Sequence, residues 1–184
     1  MTGILIVDKP EGPTSFDIVR SARRWCRTRR VGHAGTLDPF ATGVLPVAVG
    51  QATRLVEYLM DGDKEYLATL RLGAATDTQD LDGRVIASGD WQLVGAERFV
   101  EVCQDYVGAI AQVPPMYSAI KMDGQPLYRL ARQGVEVERQ PRQVRIDAIE
   151  LLAFDLPDVR IRVACGKGNY IRTPCPDIGK TLGY

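Results

Sequence analysis

Apolar residues follow strand-like patterns in several segments of the chain. Tyr66, Ala68, Leu70 and Leu72 alternate with more polar neighbours, which places one apolar face on residues 64–72. Other segments are short continuous apolar runs, which are typical of buried strands. These two patterns predict strands at residues 3–7, 44–49, 64–72, 143–154 and 159–165.

Helical spacing marks other segments. The first has apolar residues at intervals of three or four positions, namely Phe16, Val19, Ala22 and Cys26. Thr14 or Ser15 can cap this helix, which we expect to run to about residue 28. Further helices are predicted at residues 51–60, 97–106 and 126–133, with Gly134 ending the last of them. Two Asp-Gly pairs, at Asp82-Gly83 and Asp123-Gly124, predict tight turns.

The order of these elements determines the fold class. Strands and helices are mixed without a regular strand-helix-strand period, which favours an α+β fold over a doubly wound sheet. Repeats, linkers and low-complexity stretches are not seen in the sequence, so one domain over residues 1–184 is expected.

Charge is balanced over the whole chain but not locally. Lys and Arg number 23 and Asp and Glu number 23, so a nucleic-acid partner would need a local basic patch. Six arginines within eleven residues form such a patch: Arg20, Arg23, Arg24, Arg27, Arg29 and Arg30. Most arginine runs are simply solvated, yet this one is a fair candidate for contacts with phosphates.

Several classes of protein are disfavoured by composition. Apolar runs are far shorter than the roughly 20 residues of a membrane span, and the first residues lack the features of a signal peptide, so we expect a cytoplasmic protein. The only histidine is His33 and the four cysteines lie far apart, which predicts free thiols and no metal site. Glycine-rich nucleotide fingerprints are also missing from the sequence, so a nucleotide cofactor is not expected. The acidic residues 77–82 are interpreted as a solvated turn without the oxygen spacing of a calcium loop.

One carboxylate stands out as a candidate for chemistry. Asp38 lies within the glycine-rich residues 32–43 and is followed by Pro39, which keeps the backbone extended. A loop of small residues lets a substrate approach the backbone closely. An isolated Asp-Pro pair in a loop is more often a structural turn, so the surrounding motif decides the interpretation.

That motif resembles a known family. Residues 32–46, GHAGTLDPFATGVLP, are similar to the central motif of the bacterial tRNA pseudouridine-55 synthases, the TruB family. Further matches occur in the family's order at residues 5–10 (LIVDKP), 64–66 (KEY), 72–78 (LGAATDT), 115–121 (PMYSAIK) and 167–173 (KGNYIRT). The resemblance spans essentially the whole chain. It implies a pseudouridine-synthase fold, with a mixed, mostly antiparallel sheet flanked by helices.

The resemblance also implies an activity and its catalytic residues. An isomerase of this family detaches a uracil from its ribose in the T-loop of tRNA, extrudes the base to do so, and rejoins it through carbon 5 without a cofactor. Asp38 would be the nucleophile, on the sugar or on the ring. Arg172 would pair with Asp38 and keep it ionised, and Tyr66 would stack on the target base and take part in proton removal.

Further residues would bind the RNA. The resemblance makes Tyr170 and Lys9 substrate-binding residues, and His33 would fill the space that the extruded nucleotide leaves. An RNA-gripping insertion is expected at about residues 110–134. The T-arm phosphates would contact Arg20, Arg23, Arg24, Arg27, Arg30, Lys121, Arg129 and Arg132. We expect a monomer.

The sequence departs from the family pattern near its end. The chain stops at residue 184, so we expect the end of the catalytic sheet and a C-terminal RNA-binding domain to be absent. Gly166 and Asn169 replace a Ser and a Thr common in the family, and Pro174 and Pro176 fall where a helix should follow Arg172. Two alternatives therefore stay open: a catalytically impaired tRNA-binding relative, and a glycosidase that releases uracil.

Overall fold

The computed structural model describes residues 1–122 and 124–183. The chain divides into two compact units, Met1–Gly62 and Asp63–Tyr184, which are described in turn. Every strand pair in the described ranges is antiparallel, and helices accompany the sheets in both units. The predicted α+β class is confirmed, while the expectation of a single domain stays a prediction.

The first unit is a small sheet with one long helix. Its elements are β1 (Gly3–Lys9), α1 (Ser15–Trp25), β2 (Val31–His33), β3 (Gly43–Val49), a 3₁₀ helix (Gly50–Leu55) and α2 (Val56–Asp61). The strand order is β1-β3-β2. The single helix predicted at residues 51–60 is therefore a 3₁₀ turn followed by a short α-helix.

Helix α1 begins with a capping box. Thr14 accepts a hydrogen bond from the Asp17 backbone N–H, and Asp17 accepts one from the Thr14 backbone N–H at 3.0 Å. Val19 and Ala22 are buried in the core of this unit, as their spacing predicts. The helix ends before the predicted residue 28 because Arg27 adopts a left-handed backbone with φ of 50°.

The second unit contains a four-stranded sheet and two hairpins. Its strands are β4 (Lys64–Arg71), β5 (Ala74–Thr76), β6 (Val85–Ser88), β7 (Gly108–Gln112), β8 (Lys121–Met122), β9 (Gln125–Pro126), β10 (Arg142–Asp155) and β11 (Asp158–Cys165). Its helices are α3 (Ala96–Gln104), α4 (Leu127–Arg132) and α5 (Pro174–Leu182). The large sheet has the order β4-β11-β10-β7, and β5 pairs with β6 and β8 with β9. The turn predicted at Asp82-Gly83 joins β5 to β6, whereas Asp123 of the other predicted turn lies outside the described residues.

The core of the second unit lies against the large sheet. Leu70 of β4 and Leu72, which directly follows the strand, lie in this core. Helix α3 contributes Phe99, whose ring meets that of Phe154 edge-on with 6.0 Å between ring centres. Three cysteines share this environment. Burial raises the pKa of the Cys103 and Cys165 thiols to about 11 and that of Cys175 to about 12, which agrees with inert free thiols.

Helix α5 corrects the expectation about the prolines. It begins at Pro174, with Thr173 as its N-cap, so Pro174 and Pro176 occupy the first and third helical positions. The first four N–H groups of a helix have no partner within it, so proline removes no helical hydrogen bond at either position. The helix expected after Arg172 is therefore present with both prolines in its first turn, and an effect of the pair on catalysis stays a prediction.

Candidate active site

Asp38 lies half-buried in the aspartate loop, which we define as residues 34–42 between β2 and β3. Residue Leu37, just before it, is held by the buried Ser15 hydroxyl. That hydroxyl accepts from the Leu37 backbone N–H at 2.9 Å and donates to the Leu37 carbonyl at 3.1 Å. A single side chain thus holds both polar backbone groups of the residue that precedes Asp38.

The residue after Asp38 is held from two directions. The Pro39 carbonyl accepts from the Gly12 backbone N–H at 2.9 Å and from Lys9 Nζ at 3.1 Å. Lys9 also donates to the carbonyls of Ala41 at 2.7 Å and Pro10 at 2.9 Å. Because both neighbours of Asp38 are anchored, the backbone that carries its carboxylate has little freedom to move.

Lys9 is fully buried, with 0% of its surface exposed. Its ammonium has three donors and all three are used on carbonyl oxygens. Burial lowers the pKa of Lys9, and the charges of Asp38 and Glu11 oppose that shift. In this structure Lys9 holds the aspartate loop, and its expected contact with substrate stays a prediction.

His33 is the last residue of β2 and not part of a loop. It pairs with Val47 of β3, and its Nδ1 contacts the Gly35 carbonyl. The ring is half-buried at the start of the aspartate loop. Its expected position in the space of an extruded nucleotide stays a prediction.

In the second unit, Arg172 lies in the arginine loop, which we define as residues 166–173 between β11 and α5. Its Nη1 donates to Asp80 Oδ2 at 3.2 Å, and its Nη2 donates to the Tyr117 carbonyl. The Arg172 and Asp80 side chains are only 9% and 11% exposed. The family resemblance pairs Arg172 with Asp38, and that pairing stays a prediction.

Asp80 belongs to the acidic segment that we expected to be a solvated turn. Its Oδ1 accepts from the Thr78 hydroxyl at 2.6 Å and from the Asp82 backbone N–H at 3.1 Å, which leaves Oδ2 for Arg172. The interpretation of this segment as solvated is wrong for Asp80. A segment rich in acidic and hydroxyl residues looks solvated in sequence, because the cation that pairs with one of them lies 92 positions away.

The two expected aromatic residues lie in the second unit. Tyr66 is half-buried on β4, opposite Val163 of β11, and packs on the hydrophobic core of this unit. Tyr170 lies in the arginine loop, where its backbone bonds with the buried Gln112 side chain. Contact of either ring with a base stays a prediction.

The departures at Gly166 and Asn169 fit the arginine loop. Asn169 Nδ2 donates to the Gly166 carbonyl at 3.0 Å and to the Arg145 carbonyl at 2.9 Å, so this side chain closes the turn. A Cβ added at Gly166 would meet Arg145 side-chain atoms no closer than 3.5 Å, which is an ordinary contact. Both positions are therefore compatible with a well-formed loop.

The arginines of α1 and its C-terminal extension are mostly exposed. We define the arginine surface as the exposed members Arg20, Arg24, Arg27, Arg29 and Arg30. Arg23 differs in being half-buried. Its Nη2 donates to the Val31 carbonyl at 3.4 Å, and its guanidinium lies 5.5 Å from the centre of the Phe16 ring. The Arg23 guanidinium therefore makes contacts within the protein.

Residues 110–134, where we expect the RNA-gripping insertion, contain the end of β7, the β8-β9 hairpin and α4. Lys121, Arg129 and Arg132 are all exposed on it, and the Arg132 guanidinium lies 5.7 Å from the Tyr128 ring centre.

Within residues 1–122 and 124–183 no cluster of three metal-binding side chains occurs. None of the helices in those ranges is long and apolar enough to cross a membrane.

Comparison with known families matches residues 23–171 to the description "TruB family pseudouridylate synthase (N terminal domain)". The chain belongs to the TruB family. It is 55% identical over 183 residues to tRNA pseudouridine synthase B of Syntrophotalea carbinolica and 51% identical to that of Geotalea uraniireducens. These TruB alignments cover 100% of this chain but 60% and 59% of the relatives, so the chain spans about three fifths of their length.

Solved structures identify the fold. A chain of a Cbf5-Nop10-Gar1 complex matches with a TM-score of 0.74 and 34% identity, over 98% of this chain and 44% of that one. A chain of an H/ACA RNP bound to a substrate RNA containing 2′-deoxyuridine matches with a TM-score of 0.69 and 30% identity, over 98% and 43%. The fold is therefore that of the pseudouridine synthases, as the sequence resemblance implied.

Proposed function

We propose that this chain isomerises uridine to pseudouridine at position 55 in the T-loop of tRNA. Family membership supports this reaction, and the tRNA named in the curated relatives supports the substrate. The observation that carries the proposal is the anchoring of the aspartate loop. Ser15 and Lys9 hold the residues on both sides of Asp38, which is what a fixed nucleophile requires.

The proposed chemistry needs one carboxylate and a counter-charge. Asp38 attacks either the sugar or the uracil ring, the bond between the ribose and N1 breaks, and the base turns so that its carbon 5 bonds the ribose. Carbon 5 loses its proton, N1 gains one, and the Asp38 carboxylate is released, so the product is an isomer of the substrate. Arg172 keeps the attacking carboxylate ionised, and Tyr66 stacks on the base and assists removal of the proton from carbon 5. A glycosidase normally uses a second cooperating carboxylate, which the motif around Asp38 does not supply.

The proposed RNA contacts are electrostatic. The arginine surface, together with Lys121, Arg129 and Arg132, holds phosphates of the folded T-arm and reads its shape more than its sequence. Their exposure leaves these cations accessible to RNA. Such a substrate places the proposed activity in the cytoplasm, and we expect the chain to act as a monomer.

The test is Asp38→Asn, assayed with a T-arm stem-loop for both pseudouridine formation and binding. We expect turnover to disappear while affinity stays within about tenfold, or roughly 1.4 kcal/mol. Asp105→Asn, which changes an exposed carboxylate at the end of α3, is the matched control. Normal turnover by Asp38→Asn would exclude the nucleophile assignment. Free uracil as product would indicate a glycosidase, and binding by the parent without turnover would indicate a tRNA-binding relative.

A further inference from the structure

Gln112 makes two hydrogen bonds to a single residue of the arginine loop, Tyr170. It is the last residue of β7 and is 5% exposed. Its Oε1 accepts from the Tyr170 backbone N–H at 2.8 Å, and its Nε2 donates to the Tyr170 carbonyl at 3.2 Å. One side-chain amide therefore satisfies both polar backbone groups of Tyr170, as a neighbouring strand would do.

The segment that Gln112 holds has few regular hydrogen bonds. The arginine loop lies between β11 and α5 and contains neither helix nor strand. Asn169 closes its first turn through the Gly166 carbonyl, and the Thr173 N–H returns to the Tyr170 carbonyl at 3.1 Å. Asn169 also donates to the Arg145 carbonyl of β10, so the start of the loop is attached to the large sheet there. Further along the loop, Gln112 attaches Tyr170 to β7.

The hydrogen bonds from Gln112 lie close to two residues of the proposed site, Tyr170 and Arg172. Tyr170 carries one proposed substrate-binding ring, and Arg172 is only two residues further along the chain. Bonds to both the N–H and the C=O of one residue restrict the backbone dihedral angles between them. The direction in which the chain leaves Tyr170 toward Arg172 therefore depends on the Gln112 amide.

We propose that Gln112 is a positioning residue that fixes Tyr170 and Arg172 for the isomerisation. This inference rests on the proposed function for its kinetic consequence, and on the two hydrogen bonds alone for its structural part. Gln112 acts through the backbone and does not contact the substrate. A displacement of about 1 Å in a catalytic group can reduce a rate on the order of a hundredfold, so loss of this link is expected to affect the chemical step.

Two substitutions separate positioning from general stability. Gln112→Met keeps a similar volume and removes both hydrogen bonds. Gln112→Glu keeps both bonds only while its carboxyl is protonated, because the ionised form cannot donate to the Tyr170 carbonyl. Burial raises the pKa of a carboxyl at such a position, so its ionisation falls in an accessible pH range. Gln143→Met is the matched control, since Gln143 is exposed on the neighbouring strand opposite Ala111.

The first measurement is amide hydrogen exchange in the folded chain. In Gln112→Met we expect the Tyr170 N–H to exchange at least about tenfold faster, while amides of the β10-β11 ladder keep their protection. Gln143→Met is expected to leave the Tyr170 N–H unchanged. Unchanged protection of Tyr170 in Gln112→Met would overturn the proposal, whether or not the chain is active.

The second measurement is single-turnover pseudouridine formation, with binding measured in parallel. For Gln112→Met we expect a rate at least about tenfold below the parent with affinity within about threefold. For Gln112→Glu we expect a rate near the parent at about pH 5 and a growing deficit, relative to the parent at the same pH, toward about pH 8. Rates are compared only where circular dichroism shows the variant to be folded, because ionisation of a buried carboxyl also lowers the free energy of unfolding as the pH rises. Parent-like rates in both variants would overturn the kinetic role, whereas an inactive parent would count against the proposed function and leave the exchange result to decide the structural one.

Discussion

The Arg172 guanidinium meets the Asp80 carboxylate at 3.2 Å, with both side chains about nine-tenths buried. The aspartate is itself held by the Thr78 hydroxyl and by the Asp82 backbone N–H. A buried pair of this kind needs such additional hydrogen bonds to offset the loss of hydration of both charges. Asp80 therefore supplies a fixed anion for Arg172.

Replacing Asp80 by Asn tests this arrangement. The amide keeps an acceptor for Thr78 but removes the charge that faces Arg172, so we expect a loss of about 1–3 kcal/mol in the free energy of unfolding. We also expect turnover to fall at least about tenfold, because the guanidinium is held less firmly. Denaturant unfolding and single-turnover kinetics measure the two effects.

The control for Asp80 is Asp82→Asn. Asp82 is exposed in the same segment and contributes its backbone N–H, which the substitution leaves in place. Equal effects of the two substitutions would mean that the acidity of the whole segment matters and that the Asp80–Arg172 pair has no special role.

Local sequence signals predicted much of the fold. The alternating face of residues 64–72 became β4, and Thr14 became the cap of α1, because these features depend on neighbours along the chain. The end of α1 was placed too late because the left-handed backbone at Arg27 has no signature in an arginine-rich segment. The split at residues 50–61 was missed because, over segments of only six residues, apolar positions three apart fit a 3₁₀ helix and an α-helix alike.

The site was predicted through its motif, but the side chains that hold it were not. Ser15 was recognised only as a possible helix cap, although its hydroxyl reaches Leu37, 22 residues later. Gln112 contacts Tyr170 across 58 positions, and Asp80 contacts Arg172 across 92. Such partners are chosen by the tertiary fold, and no spacing rule in the sequence reports them.

Ser15 offers a second prediction. Ser15→Ala leaves the Leu37 N–H and C=O without the hydroxyl that satisfies both, at a cost of about 1–2 kcal/mol in the free energy of unfolding. We expect a lower turnover rate with RNA affinity little changed, because the aspartate loop becomes more mobile. Thermal unfolding, binding and single-turnover assays check this.

Ser21→Ala is the matched control for Ser15. Ser21 lies on the same helix and only accepts an exposed hydrogen bond from Arg24 at 3.3 Å. If Ser15→Ala turns over RNA as fast as Ser21→Ala does, the Ser15 contact with the aspartate loop has no catalytic importance.

A third prediction concerns the arginine surface. Replacing Arg24, Arg27 and Arg30 by Gln is expected to weaken binding of a T-arm stem-loop and to lower the slope of log affinity against log salt by about 2, because fewer counterions are released when phosphate contacts are lost. Arg23 is left intact because it bonds the Val31 carbonyl. Binding is measured across a salt series.

The control for the arginine surface replaces three exposed arginines of the second unit, Arg71, Arg98 and Arg160, by Gln. Two of these are already paired, Arg71 with Asp158 and Arg98 with Glu101. The change in charge is the same, so a general electrostatic effect would alter both slopes equally. That result would contradict a specific RNA contact at the arginine surface.

The last prediction concerns Pro174 and Pro176, which occupy the first and third positions of α5. A backbone N–H at either position would have no carbonyl acceptor within the helix. Changing both prolines to Ala is therefore expected to alter the free energy of unfolding by less than about 1 kcal/mol. Lys180→Pro, at an exposed position inside the same helix, is the contrast and should cost at least about 3 kcal/mol. Single-turnover rates of the double Ala variant should equal those of the parent, since the backbone that leads from Arg172 into α5 already accommodates both rings. A faster double variant would instead show that the prolines displace Arg172, and would favour the impaired RNA-binding relative over an efficient isomerase.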